Sequence, residues 1–173
     1  MGNNSAWATT TETNSRLQGD ADRIYGLVFP GCTIDRDVPL VLDKEFGVDL
    51  VLHLVTGSIL TVQEKFREHK WIHKLEFTQE VENATGTQYQ SDGEWYKLIA
   101  NLYLYGWESK SAGSLAKWAM LDVLHYKLII EAAGGLHRLG TLEHNDKYGK
   151  ASFYAIPIKR LSGCFIADYR KFK

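Results

Sequence analysis

Residues 48–66 constrain the fold more than any other stretch. Two runs rich in β-forming residues, Val48 to Val55 and Ile59 to Phe66, are parted only by Thr56-Gly57-Ser58, the pattern of a β-hairpin. Val48, Leu50, Leu52 and Leu54 alternate and therefore share one face; Leu60, Val62 and Phe66 share a face on the second strand. Burying both sets together calls for a loop of Thr56 to Ser58 that pairs Val55 with Ile59. Counting back from that pair sets Asp49 directly opposite Lys65, about 5 Å apart at Cβ, with Gln63 as the diagonal neighbour. A one-residue slip would put Glu64 opposite Asp49 and break the apolar match. In the favoured register Glu64 falls among Leu60, Val62 and Phe66, where a charge is costly unless paired. A frayed strand end, or a bulge turning it toward Asp49, would relieve that cost.

Around the hairpin the periodicity predicts an α/β chain, with α+β as the variant. Leu17, Ile24 and Leu27/Val28 suit a helix over 16–29, ended by Pro30-Gly31. Residues 1–15, rich in Asn, Thr and Ser, read as a disordered tail. A brief strand is expected at 40–42 and a further one at 75–81. A short helix over 94–100 follows a turn-rich stretch, with Ser91 or Asp92 as its cap. Leu102 to Trp107 reads as an aromatic strand whose Tyr103, Tyr105 and Trp107 pack one face, a better use for them than stacking on bases. Leu115, Trp118, Ala119, Leu121, Leu124, Leu128 and Ile129 follow helical spacing, so a helix is expected over 114–133, with Gly134-Gly135 as its stop. Late strands are expected at 153–158 and 164–169. The expected layout is one domain over 16–173: a core of about 16–107, with a central mixed sheet flanked by helices, and a C-terminal helix-and-strand extension over 108–173.

Composition excludes several classes. At 173 residues with 45% hydrophobic content, the chain can bury a core without disulfide or metal staples. No apolar run reaches the roughly 18–20 residues of a membrane span, and the N-terminus lacks the basic start and apolar stretch of a secretory signal. Cys32 and Cys164 are too few and too far apart for a disulfide framework, so they read as reduced residues of a cytoplasmic protein. There is no GxxxxGK[ST], GxSxG or HExxH, so NTPase, serine hydrolase and zincin chemistry find no support. Net charge is −1, but residues 147–173 carry +6 and the remainder −7, a basic end that could hold phosphates or simply aid solubility.

The run Phe46-Gly47-Val48-Asp49-Leu50-Val51-Leu52, followed after the hairpin by Thr61-Val62-Gln63-Glu64-Lys65-Phe66-Arg67, resembles the PD-(D/E)XK nuclease superfamily. Its Gln-x-Lys form is similar to the Mrr-like restriction endonucleases. The resemblance covers roughly residues 16–107 and implies a restriction-endonuclease-like core and a metal-dependent DNA endonuclease that hydrolyses phosphodiesters with Mg2+ or Mn2+. It also implies roles. Asp49 and Gln63 would ligate the ion, joined by the backbone carbonyl of Glu64, and Lys65 would orient the water or stabilise charge on the phosphate. Gln63 replaces a carboxylate and removes one negative charge, so Asp20, Asp22, Glu45 or Glu64 would be called on for an additional acid. Arg67 and Lys70, in a run with His69, His73 and Lys74, are the candidates for binding nucleic acid, although a solvated charged face is the commoner use of such a run. Cutting both strands takes two sites, which a homodimer would supply, although the sequence itself shows none.

Two other readings stand beside this one. A catalytically inactive nuclease-like module that binds nucleic acid or protein fits the loss of the carboxylate at Gln63. An ordinary cross-strand ion pair between Asp49 and Lys65, in a purely structural α/β protein, would contribute little. His53 shares the Asp49 face and reads as a packed residue, because His suits softer metals. His137 and His144 lack a third partner for zinc.

Overall fold

The computed structural model describes residues 5–111, 113–145 and 150–172, with side chains from residue 12 onward. A long helix α1 (Ser5–Val28) leads into a short strand β1 (Thr33–Asp35). Helix α2 (Leu40–Phe46) precedes the hairpin β2 (Leu50–His53) and β3 (Ile59–Arg67). After a single 3-10 turn come β4 (Glu76–Asn83), β5 (Ser91–Asp92), α3 (Glu94–Lys97), β6 (Leu102–Glu108) and β7 (Leu115–Asp122). The chain continues through α4 (Val123–Ala132), α5 (Leu136–Leu139), β8 (Thr141–His144), β9 (Ser152–Pro157) and β10 (Phe165–Asp168). Two sheets result: a six-stranded one in the order β1-β2-β3-β6-β7-β10 and a four-stranded one in the order β5-β4-β9-β8. The larger sheet is mixed, because β3 and β6 run parallel while its other pairs are antiparallel. This is the mixed α/β architecture expected, a central sheet flanked by helices.

The central sheet is buried on both sides. Leu50, Leu52, Val62, Leu102, Leu104, Trp118 and Met120 pack with Leu17, Ala21, Ile24 and Tyr25 of α1. On the other face Tyr103, Tyr105, Trp107, Ala119 and Leu121 pack with Phe77 and Ile156 of the small sheet and Tyr126 and Ile130 of α4. The three aromatic residues of β6 are thus core residues, as expected.

Double burial also explains the largest difference from the sequence reading. The stretch expected as one helix over 114–133 is strand β7 followed by helix α4. Trp118 and Met120 point to one core and Ala119 and Leu121 to the other, so apolar residues crowd together as they do along a buried helix. Asp122 makes the switch, its side chain accepting the His125 N–H as the cap of α4. The strand expected at 40–42 is the start of α2, which follows Pro39 and ends where Gly47 turns left-handed at φ 58. Helix α1 begins at Ser5, so 5–15, expected as part of a disordered tail, are helical; residues 1–4 lie outside the described residues.

The hairpin forms with its expected faces but a different register. Leu50 pairs with Val62 and His53 with Ile59, and Leu54 N–H donates to Ser58 O, so the loop is Val55–Gly57. Gly57 takes φ 84, the left-handed position that closes a three-residue hairpin loop, and this draws the turn back by one residue. Strand β3 therefore shifts by two residues against β2, which leaves the paired residues on their expected faces; Val48, expected beside Leu50 and Leu52, lies before β2 and packs into the opposite core with Leu98 and Tyr103. Among the described residues no helix is long and apolar enough to cross a membrane.

Candidate active site

The paired ladder ends at Leu50 opposite Val62; Asp49, just before it, donates its own N–H to Val62 O, and its side chain meets Gln63 rather than Lys65. The expected Asp49–Lys65 opposition is thus corrected by the turn geometry, while all three residues still line one cleft of about 950 Å³ between the central sheet and the small sheet. Gln63 Nε2 donates to Asp49 Oδ2 at 2.8 Å and to the backbone oxygen of Glu64 at 3.2 Å. The Glu64 N–H donates to the same Asp49 oxygen at 2.6 Å. A carboxylate and a peptide carbonyl therefore aim at one point, and an amide nitrogen with partial positive charge sits there. Gly47 makes room for this arrangement: a Cβ on it would lie 2.9 Å from Gln63 Oε1.

The surroundings of Asp49 are short of positive charge. Burial, opposed by the hydrogen bond from the Glu64 N–H and reinforced by the charges of Glu64, Asp43 and Glu94, raises its carboxyl to about 7. Lys65 lies elsewhere in the cleft, donating to Glu80 at 3.0 Å and Glu94 at 2.8 Å. Burial pulls its pKa down, but the two carboxylates outweigh burial and the net shift is upward, so Lys65 is a firmly held ammonium ion. Glu94 also accepts the hydroxyl of Tyr103 from β6. Glu80 and Glu94 were missed in the sequence. Nothing in their spacing marks them, because the fold brings them from β4 and α3 onto a residue of β3.

The acids expected to complete the site are engaged elsewhere. Glu64 is buried on the opposite face, its carboxylate held by Tyr25 Oη at 2.7 Å and by Arg36 at 2.9 and 3.0 Å. It is neither frayed nor bulged, because it is paired. Asp22 takes the other side of the same guanidinium, and Asp20 accepts Leu115 N–H and pairs with Arg23. Glu45 is exposed on α2. Among the described residues no three His, Cys, Asp or Glu side chains gather into a group able to hold a metal. Any ion would rest on Asp49, the Gln63 carbonyl oxygen and the Glu64 carbonyl, a hard-oxygen set that suits Mg2+ or Mn2+ with retained waters and a single full negative charge.

Of the two expected nucleic-acid contacts, Arg67 lines the cleft and Lys70 does not; Lys70 pairs with Glu68 outside it. His53 is exposed at the end of β2. No basic residue of the C-terminal segment lines the cleft among the described residues. Arg170 binds Asp168, Arg160 binds the carbonyls of Arg138 and Leu139, and Lys147 and Lys173 lie outside the described residues. Cys32 and Cys164 are free thiols.

No family model matches the chain, and neither does any curated protein. Among solved structures, a bacterial homing endonuclease is similar to it with a TM-score of 0.41 and 14% identity, covering 66% of this chain and 69% of that one. At that distance the likeness is one of outline alone.

Proposed function

We propose that this chain is a metal-dependent DNA endonuclease of the restriction-endonuclease-like type. The observation that carries the reading is the convergence of the Asp49 carboxylate, the Gln63 amide and the Glu64 carbonyl on one point of an open cleft. Turning the Gln63 amide over would present Oε1 to that point and complete three oxygen donors. A divalent ion bound there would polarise a phosphate and lower the pKa of a water. Asp49 would hold the ion, the Glu64 N–H would fix the orientation of its carboxylate, and Lys65 would offer permanent positive charge to the developing phosphorane oxygens. Lys65 is no general base, because Glu80 and Glu94 keep its proton in place. Two such clefts in a homodimer would address both strands.

A second reading is favoured by one observation: the site holds one carboxylate where two would grip an ion, and Lys65 is already neutralised. In that case the fold binds nucleic acid or protein without cutting. One assay separates the two. Plasmid, branched and single-stranded DNA are incubated with Mg2+ or Mn2+ and with wild type, Asp49→Ala or Lys65→Ala. Cleavage lost in both variants supports the enzyme. Salt-dependent binding without cleavage supports the binding module. Equal cleavage by all three proteins, or no binding and no cleavage, overturns the nuclease reading.

A further inference from the structure

The cations of β3 do not stop at Lys65. Arg67 is two residues on, on the same face, about 6.6 Å farther along the strand. Its guanidinium carbon lies 5.4 Å from the centre of the Trp71 ring. Lys74 Nζ reaches the same ring at 5.4 Å and Lys70 Nζ at 5.8 Å. Three positive groups are thus gathered about one indole. Each is attracted to the ring, while the three positive charges repel one another.

Their partners divide them. Lys70 has Glu68. Lys74 has Glu76 and Glu143 only at 3.8 and 3.9 Å. Arg67 forms no salt bridge among the described residues, although Glu80 feels its charge. Arg67, Trp71 and Lys74 line the cleft that holds Asp49 and Gln63. The cleft therefore has a saturated cation at its centre and, at one end beside Trp71, Arg67 without a salt bridge among the described residues and Lys74 held loosely by Glu76 and Glu143, which line the same end. That is the charge arrangement an oxyanion would complete.

We propose that Arg67 and Lys74, both beside the Trp71 ring, form a docking subsite for a backbone phosphate neighbouring the one addressed at Asp49 and Gln63. The ligand class is a phosphodiester strand, and that identity rests on the nuclease reading. Arg67 supplies a planar fork able to take two phosphate oxygens, and Lys74 supplies a point charge beside the same ring. The row Gln63, Lys65, Arg67 then sets the direction in which the strand lies, parallel to β3.

The test is equilibrium binding of a fluorescein-labelled DNA duplex to the full chain in EDTA, measured by anisotropy across a NaCl series. Arg67→Ala and Lys74→Ala should each weaken binding several-fold and reduce the salt slope by about 0.9, the loss of one phosphate contact. Lys110→Ala, an exposed residue away from the cleft, controls for net charge. Arg67→Gln and Lys74→Gln, checked by thermal melting, guard against misfolding. A duplex with a neutral methylphosphonate at one position next to the cleavage point should erase the difference between wild type and Arg67→Ala. Unchanged slopes in both alanine variants overturn the subsite; if Asp49→Ala still abolishes cleavage, the nuclease reading survives. Reduced slopes without cleavage under any metal support the subsite and overturn the nuclease. Wild type that does not bind DNA overturns both.

Discussion

The backbone N–H of Glu64 donates to Asp49 Oδ2 at 2.6 Å while the Glu64 carboxylate, on the other side of the sheet, is gripped by Arg36 and Tyr25. One residue thus ties the candidate site to helix α1 through the thickness of the sheet. Asp22 holds the far side of Arg36 and completes the anchor.

Removing the cation from that anchor should be costly. Arg36→Met leaves a buried carboxylate without its partner, and breaking such a pair costs about 3–5 kcal/mol. Because Arg36 is itself partly exposed, about 2–3 kcal/mol is expected from urea denaturation. Glu64→Gln, which keeps the acceptor for Tyr25, should cost less. If Arg36→Met unfolds with the wild-type midpoint, the anchor carries no weight.

Gly47 tests the packing behind Gln63. It sits at φ 58, where an L-residue is strained, and a Cβ would meet Gln63 Oε1 at 2.9 Å. Gly47→Ala should lower stability by about 1–2 kcal/mol and displace the Gln63 amide from Asp49. Thermal melting measures the first effect. For the second, a loss of divalent-ion binding by calorimetry is expected, and retention of wild-type affinity would show that the amide keeps its place.

The hairpin and the faces of its paired residues could be read directly because strand alternation forces them, and Asp49, Gln63 and Lys65 line one cleft for that reason; Val48, ahead of the paired ladder, escapes the alternation. Register was a different matter. It depended on which residue of Val55–Ser58 would take positive φ, and only the settled turn at Gly57 decides that. The identity of β7 was hidden because Trp118, Ala119, Met120 and Leu121 serve two cores at once, which removes the alternation that marks a strand. Glu80 and Glu94 reach Lys65 only through the docking of β4 and α3, a long-range event with no local pattern. The pairing of Glu64, by contrast, was foreseeable as a requirement, although its partner Arg36 was not.

Asp49 should leave a pH signature in the metal-free protein. Its folded carboxyl is raised from 3.8 to about 7, so the folded state binds more protons than the unfolded chain between those values. The Asp49 contribution to stability is therefore fully present below about pH 4, is lost as pH rises toward 7, and then levels off. Asp49→Asn removes the ionisation while its carbonyl can still accept from Gln63 and Glu64. In EDTA the variant should match wild type near pH 4 and exceed it above pH 7, by on the order of 2 kcal/mol once solvent near this half-buried group is allowed for. Urea melts at the two pH values give the comparison. A variant less stable than wild type at pH 8 would contradict the raised carboxyl.

Gln63→Glu asks whether the missing charge limits the site. The substituted carboxylate would face Asp49 at the position where Gln63 now donates at 2.8 Å, so two acceptors would replace a donor and an acceptor. Without metal, above pH 7, the like charges should repel, and the variant should be less stable than wild type by about 1–3 kcal/mol, the cost of an unpaired buried polar group. Adding Mn2+ should reverse the order, because a second charged oxygen strengthens a hard-cation site. Calorimetric affinity for Mn2+ should rise about tenfold or more, equivalent to about 1.4 kcal/mol in binding, and the melting temperature of the variant should climb more steeply with Mn2+ than that of wild type. Lys65, held by Glu80 and Glu94 rather than by Asp49, should stay protonated throughout, so the gain does not depend on its release. A variant destabilised without metal that gains nothing from Mn2+ would mean that the Asp49, Gln63 and Glu64 oxygens do not converge closely enough to share an ion.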